Sequence, residues 1–469
     1  KRPFILELEA GCTDVTAFNF KDYVYTDDGS CIPIIEGCTH PNASNYDETA
    51  NIDDGSCEFE TVQIGHQLWM TENLKATHYR NGDAINSGDG DYSSYENQPQ
   101  YIDTYGYLYN WYAIDDERGL CPENFHAASD GDWKSLELFL GMGLEEVDEF
   151  GDRGTSEGEK LKDTSWGGSD LYGFSALPGG YWHMGGLEYK ELGQFGSYWT
   201  ASDVSSSTGI FRNLTINSNQ INRGGQAKQS GMSIRCLSDE TQNISINVPD
   251  DFPTIQGAID YAIDGDIINV SAGTYYENVN FNGKNISVIG EDRETTIIDG
   301  GMGIDTNWAD NGSVIYLSDS GHSNPILIKN LSLIHGTGTV GSFGSSEVGG
   351  AIMAVNSILD LDNVYMAQNY GSGVLYAENS SMTVSNSIIL TAASDINGIF
   401  INQTDIEINS TLILGDESSG YVLKGIYASY NSNVIIDKST IANFNGWGVF
   451  MSFSNTNDNL QLKNSILFN

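Results

Sequence analysis

The last third of the chain writes one pattern five times. Gly350-Ala351-Ile352-Met353 leads to Ile358–Met366, and Gly373-Val374-Leu375-Tyr376 leads to Met382–Leu390. Gly398-Ile399-Phe400 leads to Ile406–Leu414, Gly425-Ile426-Tyr427 to Val434–Ile441, and Gly448-Val449-Phe450 to Leu460–Leu467. The Gly marks recur after 23, 25, 27 and 23 residues, and a period of that size means stacked structural repeats. Within each unit short apolar/polar alternations are split by Asn, Ser and Gly, which predicts two or three strands per unit and leaves no room for a helix. One such coil cannot bury its own apolar face, so coils must stack and pair strand upon strand. A parallel β-helix satisfies this. The Asn or Ser at 363, 386, 409, 439 and 464 are expected to stand one above another and to hydrogen-bond along a corner ladder. A β-sandwich, the plain alternative, does not repeat a corner residue.

Composition narrows the setting. The 469 residues carry 64 acidic and 21 basic side chains, a formal charge of −43, which argues against nucleic acid and anionic membranes as partners. It favours solubility, divalent cations or a salty medium. No apolar run is long enough to insert in a bilayer. Six Cys in a chain without zinc-type Cys/His clusters read as disulfides and an oxidising, extracellular or cell-surface location. The chain begins at Lys1 and stops at Asn469 in mid-coil, so a longer natural protein is expected.

Residues 1–58 hold two Cys-bounded repeats, 11–31 and 37–57, with a period of 26. Each ends in Asp-Asp-Gly-Ser-Cys. Units this small need staples. Four Cys allow three connectivities, and pairing within each unit, Cys12–Cys31 and Cys38–Cys57, is the expected one. The carboxylates of Asp27, Asp28, Asp53 and Asp54 offer hard oxygen ligands beside a tight turn and make Ca²⁺ the candidate cofactor. The plain reading is an Asx-type turn before a Cys. The repeats resemble Cys-bounded modules of large surface proteins of marine Bacteroidetes, with Val15 departing from the usual Pro.

Residues 59–238 form a second domain. Its ordered motifs are Val62–Lys75, Tyr105–Ala113, Leu120-Cys121-Pro122 with Trp133 beyond, Gly173–Gly180, Tyr198–Ser202 and Gly231–Cys236. Together they resemble the Fibrobacter succinogenes major paralogous domain. That resemblance implies an α+β unit of the C-type-lectin-like and sulfatase-modifying-factor type, with little regular structure and a packed aromatic interior. The residues agree. Asp130–Leu140 predicts one helix, capped by Ser129 or Asp130, with Trp133, Leu136, Leu138, Phe139 and Leu140 on its apolar side. Cys121 and Cys236 are the domain's only pair, and their bridge closes a loop of about 115 residues. The aromatics allow a sugar-stacking platform, with Trp182, His183, Tyr198, Trp199 and Arg212 as candidate ligand contacts. The plain alternative puts Trp69, Trp111, Trp133 and Trp199 in the core with their ring N–H groups satisfied internally. His66, His78, His126 and His183 are scattered, and no nucleophile or metal pair emerges from them.

A polar linker, 239–247, precedes the β-helix, 248–469. Thr254 can cap a short helix with Ile255, Ala258, Ile259 and Ala262 on one face, covering the first coil. Phe252–Val279, with Ile286–Gly290 and Thr296–Gly300, resembles the cap and first coils of pectin-lyase-like right-handed β-helices, the pectinesterase type above all. At about 4.8 Å per coil, eight or nine coils make a rod of roughly 40 Å. The motifs of the enzymes on that fold do not follow: paired Asp with Arg and Gln, Gly-His-Gly, and Arg-Ile-Lys are missing, and His335-Gly336 and Gly321-His322 stand isolated. Between Ile352 and Asn469 the basic residues are Lys424, Lys438 and Lys463, without an Arg to grip a carboxylated sugar.

The expected protein is thus mainly β and multidomain. It reads as a secreted or cell-surface structural or adhesive protein without catalytic residues, with a glycan or surface ligand and a homo-oligomer or fibre as its partners. The alternative is an extracellular polysaccharide-degrading enzyme carrying a targeting domain.

Overall fold

The structure is a computed structural model that describes residues 9–86, 90–301, 312–320, 324–340, 347–391, 396–415, 423–452 and 458–468. Gly321 and His322 lie outside them. Two compact units divide between Gln242 and Asn243.

In the first unit each Cys module closes on a parallel two-residue ladder, Ala10–Gly11 with Thr26–Asp27 and Glu36–Gly37 with Ile52–Asp53. Disulfides join Cys12 to Cys31 and Cys38 to Cys57. The second module leans on the domain that follows. Asn42 donates to the Asn73 carbonyl at 3.0 Å and accepts from Lys75 N at 2.7 Å. His40 meets Phe59 edge-on at 5.2 Å, and burial pushes its pKa down to about 4, so it packs as a neutral ring.

The domain pairs an antiparallel sheet of Gly151–Arg153, Ile221–Ala227, Thr208–Thr215 and Phe195–Ser205 with a second of Thr61–Ile64, Gln67–Met70, Cys236–Thr241 and Phe125–Ala127. The expected helix runs Asp130–Phe139. Ser129 caps it, and Asp132 returns a bond to the Ser129 N–H, a reciprocal capping box. Its apolar side reaches a core of Trp69, Trp133, Phe174 and Tyr198. Cys121 and Cys236 are joined. In the chain-entropy account, a bridge across about 115 residues stabilises by roughly 4–5 kcal/mol.

The second unit is a parallel β-solenoid of about eight turns. Among the described residues its strands form sheets of nine, eight and seven strands around one apolar core. Helix Ile255–Tyr261, capped by Thr254, seals the first coils with Ile255, Ala258 and Ile259 fully buried. Each coil visits the nine-, the eight- and the seven-stranded sheet in turn, as Ile358–Asp362, Tyr365–Ala367 and Gly373–Glu378 show.

The corner ladder exists, but its register corrects the expected one. Asn363, Asn386, Ser410, Lys438 and Asn464 share the corner, all with φ between 48° and 57°. Asn409 lies one residue early, paired with Ser385 and Asp437 inside the strand. Ser439 lies one residue late. The alternation of residue types cannot distinguish three adjacent positions that all favour Asn, Ser or Thr. The residue after the corner carries the longer ladder: the hydroxyls of Ser387, Thr411, Ser439 and Ser465 each accept the backbone N–H one coil below, at 3.1–3.4 Å. Each also donates to the carbonyl two residues before it, so both functions of a buried hydroxyl are used. In a second ladder at another corner Ser357, Ser380, Thr404 and Ser432 accept the backbone N–H one coil below, and each donates to a carbonyl two residues before it, or three for Ser432.

Candidate functional site

The ligand contacts expected in the first unit separate into two groups. Tyr198, Trp199 and Arg212 are at most 1% exposed, which removes them from any ligand surface. Trp199 donates its ring N–H to the Tyr109 and Ser230 carbonyls, at 3.0 and 3.3 Å. Tyr198 packs between Trp133 and Phe174. Along Phe195–Ser205 the neighbours Tyr198 and Trp199 face opposite sides of the sheet, and the run Gly196–Thr200 is buried on both; Arg212 is buried on the adjacent strand, Thr208–Thr215. Trp182 and His183 do reach the surface, half-buried on the hairpin Tyr181–His183/Glu188–Lys190. The core reading of the other tryptophans stands for Trp69, Trp111 and Trp199, whose ring N–H groups find internal acceptors; Trp133 Nε1 finds none.

Arg212 belongs to a buried ion cluster. Its Nε donates to Glu137 at 2.6 Å and its Nη1 to Asp130 at 2.7 Å. Arg153 grips the same Glu137 through two nitrogens at 2.8 and 2.9 Å, and Arg223 grips Asp130 at 2.7 and 2.9 Å. Burial opposes ionisation of Asp130, yet Arg223 and Arg212 hold its carboxyl well below the usual carboxylate range. The cluster ties the capped helix to three strands. It is structural: every charge is spent on a neighbour.

The Asp-Asp-Gly-Ser loops are Asx turns. Asp27 and Asp53 each accept the N–H of the following Gly, and Asp28 and Asp54 that of the following Ser, at 2.9–3.0 Å. Among the described residues no three His, Cys, Asp or Glu side chains converge as metal ligands do.

His126 sits between two carboxylates, 2.6 Å from Asp239 and 3.3 Å from Asp132. An imidazolium donates to both, so the bond to Asp132, aided by Asp239, raises its pKa despite partial burial. A raised folded-state pKa gives stability that is full below the unfolded value of about 6.5 and disappears as pH rises through the folded one. His126→Gln should therefore lower the melting temperature at pH 5.5 and converge on the parent by pH 9. A difference that stays constant over that range refutes the charged pairing.

The solenoid carries a surface that the sequence reading passed over. Phe400, Tyr427 and Phe450 lie in register, partly exposed, on the outer side of the seven-stranded sheet, and Tyr376, which heads the column, is buried with Val348 and Met353. Successive ring centroids are 5.2, 4.8 and 5.5 Å apart. Trp447, half-exposed, extends the column at 5.1 Å from Phe450, and Lys424 Nζ lies 4.6 Å from the Tyr427 ring. Beside the rings runs a polar column in which Asn402 donates to Glu378 and Ser429 donates to Asn402. The signal was in the repeat itself. Four of the five Gly-marked segments end in an aromatic, the first in Met353, but the marks slip: Gly350 and Gly373 share one position, Gly398, Gly425 and Gly448 the next.

Asp405 and Glu407 project from the nine-stranded sheet beside Thr383 and Asn433 in a shallow hollow. Asn433 occupies Asp405 at 2.6 Å.

Among the described residues no helix is long and apolar enough to cross a membrane. No curated protein matches the chain. Among solved structures it is similar to a pectin methylesterase from carrot, at 16% identity over 48% of this chain and 82% of that one, with a TM-score of 0.28. A pectin methylesterase from Aspergillus niger is similar at 15% identity, over 48% of this chain and 84% of that one, with a TM-score of 0.27. The catalytic domain of a GH87 α-1,3-glucanase is similar at 12% identity, over 54% and 46%, with a TM-score of 0.29. These likenesses say nothing of activity. Residues 62–238, which hold the aromatic core, the ion cluster and the Cys121–Cys236 bridge, match the family model of the Fibrobacter succinogenes major domain.

Proposed function

We propose that the chain is part of a secreted or cell-surface adhesive protein that holds glycans along a stiff solenoid. The observation that carries this is the partly exposed aromatic column of Phe400, Tyr427 and Phe450, with half-exposed Trp447 beside it and the Lys424 ammonium and Glu378 carboxylate alongside. Apolar rings beside a few placed polar groups are the chemistry of a small-ligand or sugar surface. The hairpin of Trp182 and His183 is the second contact, on the lectin-like domain. Three disulfides are consistent with an oxidising, extracellular setting.

Retention on insoluble neutral and acidic polysaccharides, in calcium and in chelator, tests the reading. Trp447→Ala with Phe450→Ala should weaken retention roughly tenfold, the loss of about 1.4 kcal/mol. Calcium enters as a variable of the assay: retention lost in chelator would assign Asp27, Asp28, Asp53 and Asp54 a cation after all. Released oligosaccharide would replace adhesion with polysaccharide degradation and direct attention to Asp405 and Glu407. Retention unaffected by the double variant would remove the column from the reading.

A further inference from the structure

The three faces of the solenoid differ in charge. The nine-stranded sheet carries Lys329, Asp360, Asp362, Asp405, Glu407, Asp437 and Lys463 within its strands. The seven-stranded sheet carries Glu378 and Lys424. The eight strands of the remaining sheet hold one charged residue, Asp299, which is 7% exposed and paired with His335 at 3.0 Å. In a chain with a formal charge of −43, an uncharged face running the length of a unit is an exception.

That face is also apolar on its outer side. Met366, Ile389 and Ile413 point into the core and are fully buried. Tyr365, Ile388 and Leu412, in register, point away from it, with Leu390 and Leu414 beside them and Ile334 a coil earlier in the second column. All six are half-buried only. A solvated face of a sheet normally alternates apolar-in with polar-out. Here both sides are apolar, and an apolar strip rimmed by polar surface marks an interaction site.

We propose that two copies of this chain pair side by side through the outer face of the eight-stranded sheet. Two arguments select a second copy. The first is charge: two chains at −43 repel wherever carboxylates face each other, and among the described residues the strands of this face hold one carboxylate, Asp299, buried and paired with His335. The second is period. The columns place one side chain per coil at about 4.8 Å, and the surface with matching ridges and grooves is another parallel solenoid, as in the dry interfaces of paired in-register sheets. The inference rests on the solenoid being the scaffold of the adhesive protein and names what that scaffold assembles with.

Sedimentation velocity on the full chain, over concentration and salt, tests it. The result expected is a dimer or larger species that grows as salt rises, because screening weakens the acidic repulsion and leaves the apolar contact. Ile388→Glu with Leu412→Glu should shift the chain to monomer at unchanged circular dichroism. Ile388→Thr with Leu412→Thr, which puts a β-branched strand former at both positions, should weaken association at least tenfold and serves if the charged variant misfolds. Thr383→Glu, on the nine-stranded sheet, should leave it unchanged. A parent that stays monomeric at 1 M salt overturns the proposal, as does association that survives both double variants or weakens with salt. Mass, not glycan retention, is read, so pairing and sugar binding can fail separately.

Discussion

Glu137→Gln is expected to destabilise the 62–238 domain by about 3–5 kcal/mol, the cost of removing one partner from a buried ion pair. Glu137 is fully buried and answers both Arg153 and Arg212. Gln keeps the shape and one acceptor oxygen but removes the negative charge, leaving two buried guanidiniums, Arg212 with Asp130 and Arg153 with the Val147 carbonyl. At 2–4 °C per kcal/mol for a domain of this size, the near-ultraviolet circular dichroism melt should fall by about 10 °C. Glu188→Gln, at the exposed pair with Lys190, is the control and should leave the melt where it was. A Glu137→Gln melt within 2 °C of the parent would show that the cluster is solvated and that neighbouring backbone carbonyls suffice for the arginines.

That cluster marks where the sequence stops being legible. The helix Asp130–Phe139 and its Ser129 cap were readable because period and capping chemistry are local. The pairing of Arg212 with Glu137 spans 75 residues, and no local pattern announces it. An Arg near Tyr and Trp on a strand has the composition of a sugar site and of a salt-bridged core alike. The fold around it decides, and here it puts Arg212, Tyr198 and Trp199 inside. The solenoid shows the reverse balance. Its period gives the architecture outright, since every coil must repeat the contacts of the last, but coils of unequal length, 23, 24, 28 and 26 residues from corner to corner between Asn363 and Asn464, blur the register. Hence Asn409 and Ser439 drop out of the corner ladder, and the aromatic column, obvious once Tyr376 stands over Phe400, is hidden by a one-residue slip of the glycines.

The same register yields the second large effect. Gly398, Gly425 and Gly448 share one register position, the second residue of successive strands, yet they should differ sharply when replaced by Ala. A Cβ on Gly425 would press on Ile441 Cγ2 and lie 2.5 Å from the Gly448 carbonyl oxygen. A Cβ on Gly398 would lie 2.6 Å from the Gly425 carbonyl oxygen and 2.7 Å from Ile413 Cγ2. In both cases the obstacle includes backbone one coil above, which cannot swing away as a side chain does. On Gly448 the nearest atoms belong to Leu467 at 3.7 Å, an ordinary contact. Gly425→Ala and Gly398→Ala should therefore cost at or above about 3 kcal/mol, the upper end for overpacking, while Gly448→Ala should be nearly neutral. Because a coil touches only its neighbours, the damage should be local. Amide exchange should rise in the strands Asn397–Asn402, Lys424–Ser429 and Trp447–Ser452 and stay unchanged in Ile267–Val270 beside the capping helix. Equal effects from Gly425→Ala and Gly448→Ala would mean that the strands relax freely between coils. The tight stacking that holds the aromatic column and the uncharged face each on the outer side of its own sheet would then be lost as a premise for both proposed surfaces.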